Sequence, residues 1–150
     1  MFHEPPKHSL YSAYKADVEF QDDCGTKKTC TATAFILEVA KATPWIVTNR
    51  HVIDLNYKNS SAKYKNFKPV KFSMTGRRAD DSVYTLILHK DAKFFTHDDE
   101  ENDVALIEAK INPNENTGFH WHFGIEHLAT EEILKTVEPF DLVCYAGFPQ

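Results

Sequence analysis

The chain has 150 residues, enough for one domain with a hydrophobic core, and 42% of them are hydrophobic and 13% aromatic, which excludes an intrinsically disordered protein. Its formal net charge of −5 argues against a general nucleic-acid-binding footprint. No apolar run approaches the roughly 18 residues that a membrane helix needs, and the first residues, MFHEPPKHSLYSAY, lack the apolar core of a secretory signal. We expect a soluble, cytoplasmic protein whose partners include neither nucleic acid nor a membrane.

The three cysteines cannot all pair within one chain. Cys24 and Cys30 flank the turn-like segment GTKKT and could bridge two strands in an oxidising compartment. Because there is no secretory signal, we expect reduced thiols.

Short strand-like segments, separated by turn-forming residues, run from Asp17 to Asn112. In chain order they are ADVEF, TCTATAFILEV, WIVTN, PVKFSMTG, SVYTLILHK and NDVALIEAKI. The alternation in PVKFSMTG predicts that Val70, Phe72 and Met74 share one face of a strand. Regularly spaced strands with few helical patterns predict an all-β fold, an antiparallel barrel or a sandwich.

The composition changes after about Asn112, where a segment rich in Pro, Asn and Gly begins. Within it, ATEEILKTV predicts a short helix with Thr130 as its N-cap. A new strand-like segment, DLVCYAG, then begins and the sequence stops. The expected division is an N-terminal extension (1–16), a barrel (17–112), a connector (113–140) and the first strand (141–150) of an incomplete second barrel.

His51 stands at the exit of the strand-like run in WIVTNRHVID. Taken alone, it would be an ordinary loop histidine. A histidine acts as a general base when a carboxylate accepts a hydrogen bond from its Nδ1–H, which fixes the tautomer and stabilises the imidazolium. Asp54 lies in the same exposed turn and would be solvated. Asp103 opens the apolar segment DVALIEA, where it would be partly desolvated, so we expect Asp103 to meet His51 on the rim of the sheet.

These segments resemble those of a known family. TATAFILEVAKATPWIVTNRHVID resembles the histidine segment of trypsin-like (chymotrypsin-fold) serine peptidases of the bacterial type, and ENDVALIEA resembles their aspartate segment. VEPFDLVCYAGFP is similar to the strand that opens their second barrel, so the resemblance covers roughly residues 17–149. It implies an antiparallel six-stranded β-barrel, catalytic His51 and Asp103, a peptide or protein substrate cleaved by acyl transfer, and no cofactor.

The sequence departs from that family in places. Ala32 and Ala34 stand where many relatives have glycines, and Phe140 stands where glycine is common. More important, the family's serine sits in a Gly-x-Ser-Gly-Gly-type loop that forms the oxyanion hole. None of the six serines here has a glycine within two positions: Ser9, Ser12, Ser60, Ser61, Ser73 and Ser82.

Because the nucleophile is missing, the sequence leaves two interpretations of the chain open. Cys144 lies inside the strand-like DLVCYAG, where a buried thiol would be inert, so it does not replace the serine. We expect the N-terminal portion of a serine endopeptidase, inactive alone, whose partner is a missing C-terminal barrel. The alternative is a non-catalytic peptide-binding or sensing module with a protease-like barrel.

Three other segments have alternative chemical readings. His120, His122 and His127 in HWHFGIEH could form a zinc site, but we expect a surface linker because no cysteine or carboxylate spacing completes the set. The acidic run HDDEEN lacks the spacing of a calcium loop. Between Tyr57 and Lys71, lysines alternate with aromatic residues, a pattern that can bind single-stranded nucleic acid, although the negative net charge favours a solvated loop.

Overall fold

The structure is a computed structural model that describes residues 6–39, 44–59, 62–111 and 118–137. The described part contains three short α-helices, α1 (Lys7–Tyr11), α2 (Arg50–Ile53) and α3 (Glu131–Lys135), and two 3-10 turns, Ala62–Tyr64 and Ile125–His127. Its strands are β1 (Ala13–Gln21), β2 (Lys27–Glu38), β3 (Trp45–Thr48), β4 (Lys68–Arg77), β5 (Val83–Ile87), β6 (Phe94–Thr96), β7 (Ala105–Glu108) and β8 (Phe123–Gly124).

The strands form one mostly antiparallel sheet in the order β5-β4-β1-β2-β3-β7-β6. The two-residue strand β8 adds to β2 in parallel. The expected all-β class is confirmed. The sheet is an open path with β5 and β6 at its edges.

The core follows from the alternation of apolar residues along the central strands. In β1, every second residue from Tyr14 to Phe20 is buried, and the residues between them are partly exposed. In β2, the buried face begins at Ala32 and ends at Ile36. Because side chains alternate between the two faces of a strand, both strands bury one face and leave the other outward.

Val70 departs from the predicted alternation in β4. Phe72 and Met74 are 3% and 0% exposed, as expected, but Val70 is 48% exposed. The pairing of β1 with β4 shifts register between Glu19 and Phe20. A bulge of this kind changes the face on which the side chains beyond it lie. The side chains at the start of β4 therefore do not point into the core.

The sheet extends into the segment that the sequence assigned to an N-terminal extension, because β1 begins at Ala13. The preceding helix α1 is held by Asp81, which accepts hydrogen bonds from Lys7 Nζ at 2.9 Å and from the Tyr11 hydroxyl. In the connector, Thr130 caps α3 as expected, since its hydroxyl accepts the Ile133 N–H at 3.3 Å. The strand expected at 141–150 lies outside the described residues.

A buried tyrosine pair fastens the connector to the sheet. The Tyr14 hydroxyl lies 3.0 Å from that of Tyr84 and donates to the Trp121 carbonyl at 2.7 Å. The indole of Trp121 in turn donates to the Arg77 carbonyl at 2.9 Å. Gly76 makes room for this pair, because a Cβ there would lie 2.5 Å from the Tyr14 ring. Burial, reinforced by the bond with Tyr84, raises the pKa of Tyr14, so its hydroxyl stays protonated and can donate.

The two described cysteines, Cys24 and Cys30, are free thiols. Cys24 is exposed and Cys30 is partly buried, and this burial raises the pKa of Cys30. Cys144 lies outside the described residues. Within the described ranges, no helix has the length and apolarity needed to cross a membrane.

Candidate active site

His51 lies just after β3, in the four-residue helix α2. The end of β3 is fixed against β2, because the Thr48 hydroxyl donates to the Thr33 carbonyl at 2.9 Å. Val52 and Ile53 are buried and anchor the helix from below. The imidazole of His51 therefore stays on the outer side of the helix, where it is partly exposed to solvent.

Asp103 lies two residues before β7. Antiparallel pairing of Thr48 with Ala105 places the start of β7 beside the end of β3. The side-chain amide of Asn49 reaches across and donates to the Asp103 carbonyl at 3.0 Å. The sheet register and this bond bring two segments far apart in sequence to the same rim.

His51 and Asp103 are joined by two hydrogen bonds. His51 Nδ1 lies 2.6 Å from Asp103 Oδ2, and the His51 backbone N–H donates to Oδ1 at 3.0 Å. The contact expected between these two residues is present. Because both carboxylate oxygens are engaged by one residue, the carboxylate cannot rotate freely, and Nε2 is the imidazole nitrogen that Asp103 leaves open.

The surroundings keep Asp103 ionised. Its side chain is 34% exposed and that of His51 is 44% exposed. Partial burial alone would raise the pKa of Asp103, but the backbone N–H of His51, the His51 side chain and the Arg50 N–H together lower it below its usual value. An ionised acceptor holds the proton of a neutral imidazole on Nδ1 and stabilises an imidazolium. The pair therefore has the geometry of a general base that works through Nε2.

Asp54, the alternative partner for His51, is engaged elsewhere. Its Oδ1 accepts the Asn56 N–H at 3.0 Å, and its Oδ2 lies 3.9 Å from Arg50 Nε. The Arg50 guanidinium lies over the Tyr57 ring, 4.7 Å from its centroid, and donates to the His97 carbonyl at 3.5 Å. Asp54 and Arg50 thus connect α2 to the loops behind the site.

The acidic loop before Asp103 is tied to the segment that follows His51. The Tyr57 hydroxyl donates to the Glu100 carbonyl at 2.6 Å, and Lys58 pairs with Glu101 at 3.0 Å. Asp99 turns back on its own loop and accepts the Glu101 N–H at 3.0 Å. Within the described ranges, no group of three or more His, Cys, Asp or Glu side chains could hold a metal ion.

The three connector histidines contact three different groups. His122 Nε2 lies 3.0 Å from a Glu38 carboxylate oxygen, and His127 Nδ1 accepts the Gly124 N–H at 3.0 Å. The ring of His120 packs edge-on against Tyr84. These side chains do not converge, and their contacts hold a linker against the sheet.

Three of the described serines form hydrogen bonds to groups other than His51. The hydroxyls of Ser12 and Ser73 donate to the carbonyls of His8 and Asp17, and that of Ser82 donates to Asp80. Among the hydrogen bonds of the described residues, none joins a serine to His51. In this part of the chain, the pair therefore stands without an adjacent nucleophile.

An apolar row crosses the outer face of the sheet near this rim. We call it the outer apolar row; it joins paired residues of β2, β3, β7 and β6, namely Phe35, Val47, Leu106 and Phe95. Trp45 packs edge-on against Phe95, with ring centroids 5.5 Å apart. Phe95 and Leu106 are 45% and 38% exposed. Such a row on an outer face, where polar residues are usual, is typical of an interaction surface.

The outer apolar row continues to Val104, near the start of β7. Val104 is 47% exposed and, with Phe95, Leu106 and Asn102, lines an open cavity of about 340 Å³. An exposed apolar face is expected of a barrel that lacks its neighbour, but the sequence did not identify the residues of this surface, nor the bond from Asn49 to Asp103. The alternation of Phe35 and Val47 with buried residues was visible in the sequence, but an outward apolar residue is recognisable only once the register is known.

No family model matches the chain, and no curated protein matches it. What the chain does must be inferred from its geometry and its motifs.

Proposed function

We propose that the chain is the N-terminal portion of a trypsin-like serine endopeptidase and supplies two members of its catalytic triad, His51 and Asp103. The observation that carries the proposal is the hydrogen bond of 2.6 Å between His51 Nδ1 and Asp103 Oδ2. The serine and the oxyanion hole would come from polypeptide that this sequence does not include. The chain alone is then inactive, because loss of one triad member removes most of the rate enhancement.

In the proposed reaction, His51 moves the proton. A serine hydroxyl attacks the carbonyl carbon of a peptide bond while His51 Nε2 takes the hydroxyl proton. The imidazolium, stabilised by ionised Asp103, then gives that proton to the leaving amine as the C–N bond breaks. Water attacks the acyl-serine in the second half, with His51 again acting as base, and releases the carboxylic acid.

We further propose that β5 and β6 are two halves of one bent strand, which would close the sheet as a six-stranded barrel. The two edge strands are joined by residues 88–93 alone. Leu88 forms a bridge with Ile111, and the His89 N–H donates to the Lys110 carbonyl at 2.7 Å. These bonds link the segment that follows β5 to the segment that follows β7, the strand paired with β6.

The outer apolar row supports the proposal that a second barrel packs beside the first. The row continues to Val104, which lines one cavity together with Phe95 and Leu106. A second barrel over this face would bury these exposed apolar side chains, and this burial favours its association with the first barrel.

The direct test reads the gene beyond Gln150 and looks for a Gly-x-Ser-Gly segment. The longer protein should react covalently with a fluorophosphonate, which labels an activated serine. His51→Ala should abolish labelling, and His122→Ala, a surface histidine paired with Glu38, should not. A natural stop after Gln150, or a longer protein whose serine is not labelled, would contradict the peptidase proposal and favour the peptide-binding module.

A further inference from the structure

Exposed lysines are concentrated at one end of the sheet. Gln21 of β1 pairs with Lys27 of β2 on one side and with Lys68 of β4 on the other. Two residues earlier in β1, Glu19 pairs with Lys71 of β4. Lys28 reaches the loop before β4, where its Nζ donates to the Tyr64 hydroxyl at 3.1 Å. We call the following six exposed residues the lysine strip: Lys27, Lys28, Lys63, Lys65, Lys68 and Lys71.

The lysine strip is a positive region on a chain of negative net charge. Acidic residues beside the strip include Glu19, Asp22 and Asp23. Glu19 pairs with Lys27 at 2.9 Å, and Asp22 Oδ1 accepts two N–H groups of its own turn. Within the described part of the chain, Lys65, Lys68 and Lys71 form no salt bridge. Their charges are available to a partner.

The aromatic side chains of this region are already engaged. Lys28 Nζ lies 4.2 Å from the Tyr64 ring centroid, and Tyr64 packs edge-on against Phe67. Both rings are partly buried, and Phe67 packs against the core. Proteins that bind single-stranded nucleic acid stack bases on free ring faces. The strip offers charge without such a stacking platform.

We propose that the lysine strip binds an acidic segment of a polypeptide in an extended conformation. Neighbouring strands lie about 4.8 Å apart, so Lys27 and Lys68, with β1 between them, stand about 10 Å apart at their backbones. An extended peptide places alternate side chains on one face about 7 Å apart, within the reach of flexible lysine side chains. The choice of a polypeptide as the partner rests on the proposed peptidase function. The presence of the positive region does not depend on that function.

The strip is separate from the reacting residues. The end of β3 beside His51 is fixed to Thr33 in β2, and Lys27 begins the same strand six residues earlier. At about 3.3 Å per residue, this is about 20 Å. The strip would hold a substrate protein at a distance from the bond to be cleaved, and would raise the local concentration of acidic substrates.

The test measures binding to the chain as it stands, by fluorescence anisotropy with a labelled oligoglutamate peptide. The double variant Lys65→Glu/Lys68→Glu should weaken binding about tenfold or more. The matched control is Lys110→Glu/Lys135→Glu, which has the same net charge but changes exposed lysines outside the strip; its binding should stay close to that of the unchanged chain. Binding should also weaken as salt is added. Circular dichroism should show that both double variants are folded.

Three outcomes would overturn the proposal. The first is no binding of oligoglutamate at low salt, and the second is an equal loss in both double variants, which would mean a response to net charge alone. The third is tighter binding of a single-stranded oligonucleotide of equal charge than of oligoglutamate. Because the readout involves no cleavage, a peptidase proposal that fails on serine labelling leaves this result intact, and the reverse also holds.

Discussion

His51 holds both carboxylate oxygens of Asp103, one through Nδ1 at 2.6 Å and the other through its backbone N–H at 3.0 Å. The backbone bond has a consequence for the imidazole. It needs an acceptor at the Oδ1 position, so any side chain placed at residue 103 must present an oxygen there. The atom at the Oδ2 position then decides which nitrogen of His51 carries the proton.

Asp103→Asn should reverse the tautomer of neutral His51. The amide oxygen would face the His51 N–H, so the amide NH₂ would face Nδ1 and donate to it. The proton would then move to Nε2, which could no longer act as a base. Nitrogen-15 NMR of the imidazole at a pH where it is neutral distinguishes the tautomers. The control is Asp54→Asn, which changes a carboxylate engaged by Arg50 and Asn56; in this variant the proton of neutral His51 should stay on Nδ1. If the proton also stayed on Nδ1 in Asp103→Asn, the assigned geometry would be contradicted.

Asn49 is predicted to position the pair. Its amide holds the Asp103 carbonyl at 3.0 Å, so Asn49→Ala should cost about 1 kcal/mol in the free energy of unfolding. It should also let the His51 Nδ1 proton exchange faster with water, because the carboxylate is held less firmly. Asn66→Ala, at an exposed asparagine, is the control for both measurements. Equal proton exchange in the two variants would show that Asn49 has no positioning role.

Asp103 should contribute stability that depends on pH. Because its pKa is lowered in the folded state, its contribution is present above its ordinary value of 3.8 and is lost as the pH falls through the folded-state pKa. The difference in urea midpoint between the unchanged chain and Asp103→Asn should be largest near neutral pH and shrink in acid. A difference that stays constant across this range would mean that Asp103 is not ionised in the folded protein.

Much of this arrangement could be predicted from sequence, for identifiable reasons. The alternation of Ala16, Val18 and Phe20 in ADVEF reports directly on a half-buried strand. The His51–Asp103 contact was predictable because each residue adjoins an apolar strand, and strand ends meet at the rim of a sheet. Thr130 was recognisable as an N-cap because the rule is local.

The features that the sequence could not predict depend on register and on side-chain direction. Val70 shares the alternation of Phe72 and is exposed because of a register shift between β1 and β4, which no local pattern encodes. The Tyr14–Tyr84 bond joins residues 70 positions apart, and its need for a glycine at position 76 follows only from packing. The catalytic role of His51 and Asp103 stays a prediction until the serine is found.

Gly76→Ala should destabilise the fold and loosen the connector. The added methyl group would lie 2.5 Å from the Tyr14 ring, which is fixed by its bonds to Tyr84 and Trp121. Overpacking of this kind costs about 1–3 kcal/mol, measurable by urea unfolding. Gly118→Ala is the matched control, since a Cβ there meets nothing within 4 Å and should change stability by less than about 0.5 kcal/mol. Equal effects of the two substitutions would contradict the packing described here.

The outer apolar row should make the isolated chain self-associate at high concentration. Its exposed members, Phe95 and Leu106, lie on adjacent strands, and contiguous apolar surface of this kind favours association. Sedimentation velocity should show association that Phe95→Glu weakens about tenfold. Val83→Glu, at a residue of β5 that is 57% exposed, introduces the same charge outside the row and should have little effect. A chain that stays monomeric at every concentration, or a response that is the same for both variants, would mean that the row is not an interaction surface.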